Sequence, residues 1–318
     1  MSTKTITGLH HVTAISGNAQ RNYNFYTEVL GLRLVKKTVN FDDPGTYHLY
    51  YGDGAGTPGS ILTFFPWDNM PAGREGTGLV SATAFATSEA GLAFWQKRLV
   101  EKGVEVRGPM QRFDEIYIEF QDPDGMKIEV VIADQDSAFK PWKNSPVPPA
   151  MQFRGFHSVT LSESGYERTH ALLTHQMGWT LLKEAGGRFR YQAPGGGPAS
   201  LVDITCQPGG RHGLQGTGTV HHVAFRVADD ATQREWRQKL VDFCYDLSPV
   251  KDRTYFHSIY YREPGGILFE IATDTPGFAF DEPSETMGSG LMLPRQYESM
   301  RTQIEKFLPP LEPSKSRA

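Results

Sequence analysis

Gly-Leu-His-His-Val-Thr stands at residues 8–13, and Val-His-His-Val-Ala repeats its pattern at residues 220–224. Each histidine doublet lies in a short apolar run, which predicts a β-strand. Successive side chains of a strand point to opposite faces, so we expect one histidine of each doublet to face inward and its neighbour to face away. Two such strands, each aiming one imidazole at a shared interior, would supply half of a metal site.

The doublets belong to a weak repeat of four units. Each unit reads as a strand, an amphipathic helix and three further strands. In the first unit the helix carries Phe25, Tyr26, Val29 and Leu30 on its apolar face and ends at Gly31. The predicted first strands span residues 9–16, 79–87, 156–162 and 219–227.

Prolines divide the chain and keep the units in register. One proline precedes the last strand of each unit, at Pro58, Pro123, Pro198 and Pro264. A proline-rich stretch at residues 141–150 separates the first two units from the last two. We therefore expect an N-terminal domain at 1–140, a C-terminal domain at 151–280, and an extension at 281–318 with a short helix from Pro294 to Phe307 and a disordered polar tail.

Four βαβββ units are the architecture of the vicinal oxygen chelate superfamily, which includes glyoxalases, bleomycin resistance proteins and extradiol dioxygenases. The chain resembles this superfamily along most of its length. The resemblance implies an α+β fold whose four βαβββ modules pair into two open, cup-like, mixed β-sheet barrels. It also implies that metal ligands come from the first and last strands of the modules.

The composition excludes several classes of partner and environment. The formal net charge of −4 provides no basic field for nucleic acid or an anionic membrane surface. No leader and no long apolar span is predicted. Cys206 and Cys244 are the only cysteines in 318 residues, too few for a disulfide framework, which favours a reducing cytoplasm.

Alignment of the units by their prolines selects the candidate ligands. The first-strand positions are His11, Ser81, Ser158 and His222. The last-strand positions, six residues after each proline, are Phe64, Glu129, Ile204 and Glu270. Units one and four thus offer two histidines and a carboxylate and are expected to pair around a metal, whereas units two and three offer no metal site.

Two histidines and one carboxylate on one face of an octahedral ion form the facial triad of non-haem Fe(II) oxygenases. This ligand set suits Fe(II) or Mn(II), and no thiolates are present for a closed structural zinc site. Glu129 shares the repeat position of Glu270 but has no histidine partner, so we expect it to be solvated or salt-bridged. His157 aligns with His10 and His221 and not with the ligands. Four histidines without such a register are interpreted as structural or surface residues: His48, His170, His175 and His212.

A narrower resemblance rests on five motifs taken together, at residues 8–13, 47–50 (Tyr-His-Leu-Tyr), 155–158 (Gly-Phe-His-Ser), 220–222 and 260–270 (Tyr-Tyr-Arg-Glu-Pro-Gly-Gly-Ile-Leu-Phe-Glu). They are similar to those of the hydroquinone-cleaving, extradiol-type ring dioxygenases. The resemblance implies Fe(II), with Mn(II) as the alternative, bound by His11, His222 and Glu270. It further implies O₂ and a substituted hydroquinone as substrates, although a catechol is not separated from a hydroquinone.

Further residues are candidates for the chemistry that such a site requires, namely a base for the phenol proton and donors for developing negative charge. The resemblance implies active-site roles for Tyr260 and Arg253, against packing and an exposed turn as their respective alternatives. His10 and His221 are expected to support the ligands or to act as acids or bases. Thr13 shares the face of His11 and is expected in the substrate pocket.

His257 is a further candidate for the pocket, although its strand parity opposes that of Tyr260. Two rival functions remain open on the same fold. A glyoxalase-like lyase or isomerase would need a fourth protein ligand, which Phe64 cannot provide. A non-catalytic small-molecule-binding protein would not need the retained triad. Base rates favour a homodimer.

Overall fold

The computed structural model describes residues 4–133 and 139–312, so the part of the predicted polar tail at 313–318 lies outside the described residues. Two curled, eight-stranded mixed sheets form the fold. The first contains β1 (Leu9–Ser16), β2 (Arg33–Asn40), β3 (Asp43–Gly52), β4 (Ile61–Pro66), β13 (Thr219–Val227), β14 (Lys251–Asp252), β15 (Phe256–Arg262) and β16 (Leu268–Pro276). The second contains β5 (Leu79–Thr87), β6 (Val106–Arg112), β7 (Glu115–Gln121), β8 (Lys127–Ile132), β9 (Phe156–Glu163), β10 (Thr180–Ala185), β11 (Arg188–Gln192) and β12 (Leu201–Cys206).

The sheets confirm the expected two half-barrels and the expected pairing of the outer units. The first sheet has the order β14-β15-β16-β13-β1-β4-β3-β2, so units one and four meet where β1 pairs antiparallel with β13. The second sheet joins units two and three in the same way, through β5 and β9. Each sheet therefore draws strands from both of the domains that the sequence suggested.

Helices cover the outer faces of the sheets, and polar caps explain where several of them begin. They are α1 (Ala19–Asn24) with a π-helical turn at Phe25–Val29, α2 (Glu89–Glu101), α3 (Glu167–Ala171) with a π-helical turn at Leu172–Gln176, α4 (Asp230–Asp242), and α5 (Arg301–Phe307) after 3₁₀ turns at Arg295–Met300. The side chains of Asn18, Ser88 and Asp229 accept backbone N–H groups in the first turns of α1, α2 and α4. None of the described helices is long and apolar enough to span a bilayer.

The two histidine doublets lie at β-bulges. In β1, Leu9 pairs with Phe225 and His11 with Ala224, which leaves His10 as an extra residue. In β13 the pairing passes from His222 directly to Val220, which leaves His221 as the extra residue. A bulge breaks the two-residue alternation of side chains, so the expectation that neighbouring histidines face opposite ways is wrong.

Strand register also corrects the alignment of the repeats. Glu270 pairs with Ala224, two residues after His222, whereas Thr13, two residues after His11, pairs with Thr63. The counterpart of Glu270 in unit one is thus Thr63, and Phe64 packs on the helix side against Tyr26. By the same rule, the last-strand position of unit three is Asp203 and not Ile204. The first-strand position of unit two is Ala82 and not Ser81.

The C-terminal segment covers the free edge of the first sheet. Lys36, on the edge strand β2, is fully buried and forms ion pairs with Asp281 and Glu282. The backbone N–H of Met292 donates to the carbonyl of Lys37 on the same strand. An exposed strand edge invites pairing with another chain, and this segment occupies part of that edge.

Candidate active site

Three ligand atoms converge on the concave face of the first sheet. Nε2 of His11 and Nε2 of His222 lie 3.4 Å apart. Oε2 of Glu270 lies 3.4 Å from the first nitrogen and 2.9 Å from the second. All three side chains are buried, with 5% or less of their surface exposed. Adjacent strands β1, β13 and β16 carry them, so backbone hydrogen bonding fixes their spacing.

The remaining polar atoms of the three side chains are occupied, which leaves the converging atoms free for a cation. Nδ1 of His11 lies 2.9 Å from Nδ1 of His10, and Nδ1 of His222 lies 2.8 Å from Nδ1 of His221. Oε1 of Glu270 accepts a hydrogen bond from Ser258, while its buried Oε2 has no hydrogen-bond partner among the described residues. An orphaned carboxylate oxygen between two imidazole nitrogens fits a divalent metal ion.

Within the described parts of the chain, no other group of three His, Cys, Asp or Glu side chains brings ligand atoms together in this way. Burial alone would raise the pKa of the Glu270 carboxyl, but the two adjacent imidazoles hold that pKa well below its usual range. The carboxylate is therefore ionised and available to a cation. The two-histidine, one-carboxylate set at one side leaves the other side open, as a facial triad requires.

The outer histidine of each doublet determines which nitrogen of its neighbour carries a proton. If Nε2 of His11 binds a cation, the proton of this ring lies on Nδ1 and is donated to Nδ1 of His10. Burial, and then the neighbouring His11, lower the pKa of His10 well below its ordinary value, which keeps the accepting nitrogen unprotonated. Burial likewise lowers the pKa of His221 to about 3. Both doublets thus orient a ligand ring through its second nitrogen.

A cavity of about 300 Å³ opens above the three ligands. Its apolar wall is largely aromatic and consists of Phe41, Tyr50, Phe65, Trp67, Phe256 and Leu268. His11 and His222 form part of its floor. A cavity of this size with aromatic walls and a few polar groups suits a small aromatic ligand.

One side of the cavity is positively charged. Nε of Arg253 donates to the hydroxyl of Tyr260 over 3.3 Å, and its terminal nitrogen lies 3.0 Å from the Asp42 carboxylate. Lys251 approaches the same carboxylate at 3.4 Å. Burial, and then the charge of Glu270, raise the pKa of Tyr260 above its ordinary value, so its hydroxyl remains protonated. Lys251 and Arg253 thus place two positive charges against the one negative charge of Asp42 on this side of the cavity, with the phenol of Tyr260 beside them.

Comparison with known families identifies the fold. The model of the Glyoxalase/Bleomycin resistance protein/Dioxygenase superfamily matches residues 8–130 and 155–271. These ranges contain all three converging ligands. The chain belongs to this superfamily.

Within this superfamily, the chain is similar to ring-cleaving dioxygenases over nearly its full length. A Bacillus subtilis (strain 168) protein with the provisional name ring-cleaving dioxygenase MhqO is 47% identical over 312 residues, which cover 98% of each chain. The chlorohydroquinone/hydroquinone 1,2-dioxygenase of Sphingobium indicum is 36% identical over 307 residues, covering 94% of this chain and 95% of the relative. A crystal structure of a Bacillus subtilis protein, provisionally titled a dioxygenase, superposes with a TM-score of 0.93 at 46% identity and covers 98% of this chain and 99% of that one. These relatives identify the chain as an enzyme of the ring-cleaving dioxygenase kind.

Only some of the site residues that the sequence predicts lie in the cavity wall. His221, Arg253 and Tyr260 line the cavity, whereas His10 lies behind His11. Thr13 is fully buried and hydrogen-bonds to Thr63 instead.

His257 does not belong to the pocket, because strand parity turns it toward the helix side of β15. There its Nδ1 lies 2.7 Å from the carboxylate of Asp230 at the start of α4. Tyr260 lies three residues further along β15 and faces the cavity. An odd number of steps along a strand reverses the direction of the side chain. The assignment of His257 to the pocket is therefore wrong.

His48 was interpreted as structural or surface, yet it lies in the cavity wall beside Tyr50. The two side chains share one face of β3, and the Tyr50 hydroxyl lies 2.8 Å from Nδ1 of His48. The signal was present in the Tyr-His-Leu-Tyr motif, because residues two apart in a strand point the same way. Only the position of β3 in the first sheet shows that this face is the concave one.

The second sheet uses the equivalent positions for ion pairs. Glu129 is buried and salt-bridged to Arg112 at 2.8 Å, as predicted. Asp203 is held by Arg190 at 2.7 Å and lies 3.9 Å from Arg112. Where the first sheet directs a carboxylate toward two imidazoles, the second neutralises its carboxylates with guanidinium groups.

Proposed function

We propose that the protein is an Fe(II)-dependent, extradiol-type dioxygenase that cleaves the ring of a substituted hydroquinone and places both atoms of O₂ in the product. One observation carries the proposal: the buried ligand atoms of His11, His222 and Glu270 converge at the floor of an aromatic-walled cavity. Mn(II) has the same ligand preference and is the alternative metal.

The metal, when bound, would lower the pKa of a coordinated phenol and bring the diol and O₂ together for electron transfer. The protein groups hold the reactants around it. Two imidazoles and one carboxylate occupy one side, and the cavity lies on the other. Phe65, Trp67 and Phe256 provide flat surfaces against which a substituted benzene ring can pack.

The choice of a hydroquinone is supported by the name of the Sphingobium indicum relative, a chlorohydroquinone/hydroquinone 1,2-dioxygenase. The cavity is consistent with this choice, because its volume of about 300 Å³ admits one ring with small substituents. Lys251 and Arg253, against the single carboxylate of Asp42, make one side of the cavity positively charged, and this side favours a phenol that loses a proton.

Arg253 and Tyr260 are proposed to bind oxygen atoms of the substrate. The guanidinium group is held by Asp42 on one side and by the Tyr260 hydroxyl on the other, so it is already ordered before the substrate arrives. Preorganised donors stabilise negative charge without reorganisation during the reaction. His10 and His221 are proposed to orient the ligand imidazoles, because they contact the second nitrogen of each ring.

The rival functions predict different sites. A glyoxalase-like lyase or isomerase would use a fourth protein ligand, and the position that could carry it is occupied by Thr63, whose hydroxyl is already hydrogen-bonded to His48 and Thr13. A binding protein would have no need of a buried carboxylate directed at two imidazoles. Ring cleavage is the function that uses both the triad and its open side.

The test is O₂ uptake by protein loaded with Fe(II) in the absence of air. Hydroquinone, chlorohydroquinone and catechol are supplied separately. We expect one O₂ consumed per diol, a new muconate-type absorbance, and faster turnover of the hydroquinones. The variant His222→Ala should lose iron and O₂ uptake, while the control His175→Ala, at an exposed position, should retain both. Tight iron binding without O₂ uptake on any of the three diols would refute ring cleavage.

A further inference from the structure

A chain of four hydrogen-bonded side chains runs along the cavity wall and has no role in binding the metal. The Tyr50 hydroxyl lies 2.8 Å from Nδ1 of His48, and Nε2 of the same ring lies 2.8 Å from Oγ1 of Thr63. Oγ1 of Thr63 lies 2.8 Å from Oγ1 of Thr13. All four side chains are buried, with exposures between 0% and 8%.

The chain has one end at the cavity and one end in the protein interior. Tyr50 and His48 are in the cavity wall, whereas Thr63 and Thr13 lie beneath it. Both nitrogens of the His48 ring already have hydrogen-bond partners, so a ligand reaches this imidazole only through the hydroxyl of Tyr50. The centroid of the His48 ring lies 4.0 Å from the ring centroid of Tyr50 and 4.4 Å from that of Phe65. This packing fixes the orientation of the imidazole.

We propose that Tyr50 and His48 form the proton relay that deprotonates the bound diol, with Tyr50 in contact with the substrate and His48 as the proton acceptor. This assignment rests on the proposed ring-cleaving function and supplies the base that such a reaction needs. Thr63 is a positioning residue, because it holds the Nε2 proton of His48 and so leaves Nδ1 as the acceptor.

The step is a double proton transfer in which no electrons are exchanged with a second reactant. The O–H bond of the diol breaks, and its proton passes to the Tyr50 oxygen. At the same time the original Tyr50 proton passes to Nδ1 of His48. Tyr50 is neutral again afterwards, and the products are a phenolate in the cavity and an imidazolium at His48, which donates to Tyr50 and Thr63.

The electrostatic surroundings set the protonation states of both side chains before the step. Burial, and then the nearby imidazoles of His11 and His222, lower the pKa of His48 well below its ordinary value, so the ring is neutral before the step. Burial raises the pKa of Tyr50 well above its ordinary value, so this phenol transmits a proton and does not remain ionised. Arg253, Tyr260 and Glu270 also act on the relay electrostatically, and the ring centroid of Tyr255 lies 6.2 Å from that of Tyr50.

The test compares Tyr50→Phe, His48→Gln and the double variant with the wild-type holoenzyme. Each single change should lower kcat for hydroquinone at pH 7 by about 100-fold or more, the usual scale of general acid–base catalysis. The double variant should be no slower than the slower single variant, because one missing link already breaks the relay. As the pH approaches about 10, where a free phenol ionises, the variants should recover rate tenfold per pH unit while wild type does not.

A spectroscopic readout separates this relay from a purely structural role. Hydroquinone is titrated into the Fe(II) protein without O₂, and the ultraviolet absorbance of the bound ring is recorded. Wild type should show the red-shifted phenolate band at pH 7, whereas both variants should show the neutral phenol until the pH is raised. Phenolate in the variants at pH 7, or no recovery of rate at high pH, would overturn the relay.

Tyr51→Phe is the matched control. Tyr51 is the next residue on β3, is equally buried, and donates to Asn22 on the opposite side of the strand. Its loss should leave the pH profile and the absorbance band unchanged. Normal kinetics in the Tyr50 and His48 variants would refute the relay and leave ring cleavage standing, whereas failure of wild type to bind hydroquinone at all would refute both.

Discussion

Glu163 is expected to make the stability of the folded protein fall as the pH rises from 5 to 8. This residue ends β9 and is fully buried, and neither carboxylate oxygen has a hydrogen-bond partner among the described residues. Glu263 lies close by: a methyl group placed on Gly265 would be 2.8 Å from both carboxyl groups. Glu263 accepts hydrogen bonds from Thr169, Gly265 and Ile267, so it is the better carrier of the negative charge.

Burial, and then the charge of Glu263, raise the pKa of Glu163 from 4.5 to about 8. In the unfolded chain this carboxyl ionises near its ordinary pKa, whereas in the folded protein it remains protonated. Below about pH 4.5 the carboxyl is protonated in both states and does not change the free energy of unfolding. Above this pH the free energy of unfolding falls progressively, until the carboxyl of the folded protein also ionises. The slope is about 1.4 kcal/mol per pH unit, and the full effect is on the order of 5 kcal/mol.

The measurement is urea denaturation of wild type and Glu163→Gln at pH 5, 6, 7 and 8. Glutamine keeps the shape of the protonated carboxyl and cannot ionise, so the variant should lose most of the decline and should be the more stable protein at pH 8. Glu184→Gln, at an exposed position of β10, is the control and should follow wild type. If wild type is equally stable at pH 5 and pH 8, or if Glu163→Gln declines in parallel with it, the reasoning is refuted.

Three further predictions concern the site and its counterpart. Ser258→Ala removes the donor to Oε1 of Glu270 and should weaken iron binding by about 10- to 100-fold; an unchanged Kd in a chelator competition would contradict this. His257→Ala should retain kcat/KM within about twofold, because the ring lies outside the cavity, and a tenfold loss would place it back in the site. Glu129→Ala leaves the guanidinium of Arg112 without its carboxylate and should lower the free energy of unfolding, measured by urea denaturation, by about 3–5 kcal/mol. The iron content per folded protein should not change, and a loss of iron would contradict the prediction.

The repeat in the sequence was sufficient to predict the sheet pairing and the converging residues. His11, His222 and Glu270 stand at comparable places in their units, and the structure brings their ligand atoms together. This worked because homologous positions of a repeated fold occupy equivalent points in space.

The errors came from single-residue shifts, to which strands are especially sensitive. One extra residue at His10 and another at His221 reorient the doublets, and a shift of one exchanges Thr63 for Phe64 between the two faces of β4. Bulges have no reliable signature in one sequence. The place of His48 depended on long-range pairing of β3 with β4, which local pattern does not encode.

The pairing of the outer units has a consequence for how the chain acquires its metal centre. The strands of the second sheet lie within residues 79–206, so that sheet can close before the rest of the chain has been made. In chain order, His11 precedes its carboxylate partner Glu270 by about 260 residues. Pairings between distant segments form slowly. The three-ligand site is thus completed only when its last strand has been made, and a metal ion bound there would link two strands that are about 260 residues apart in the chain.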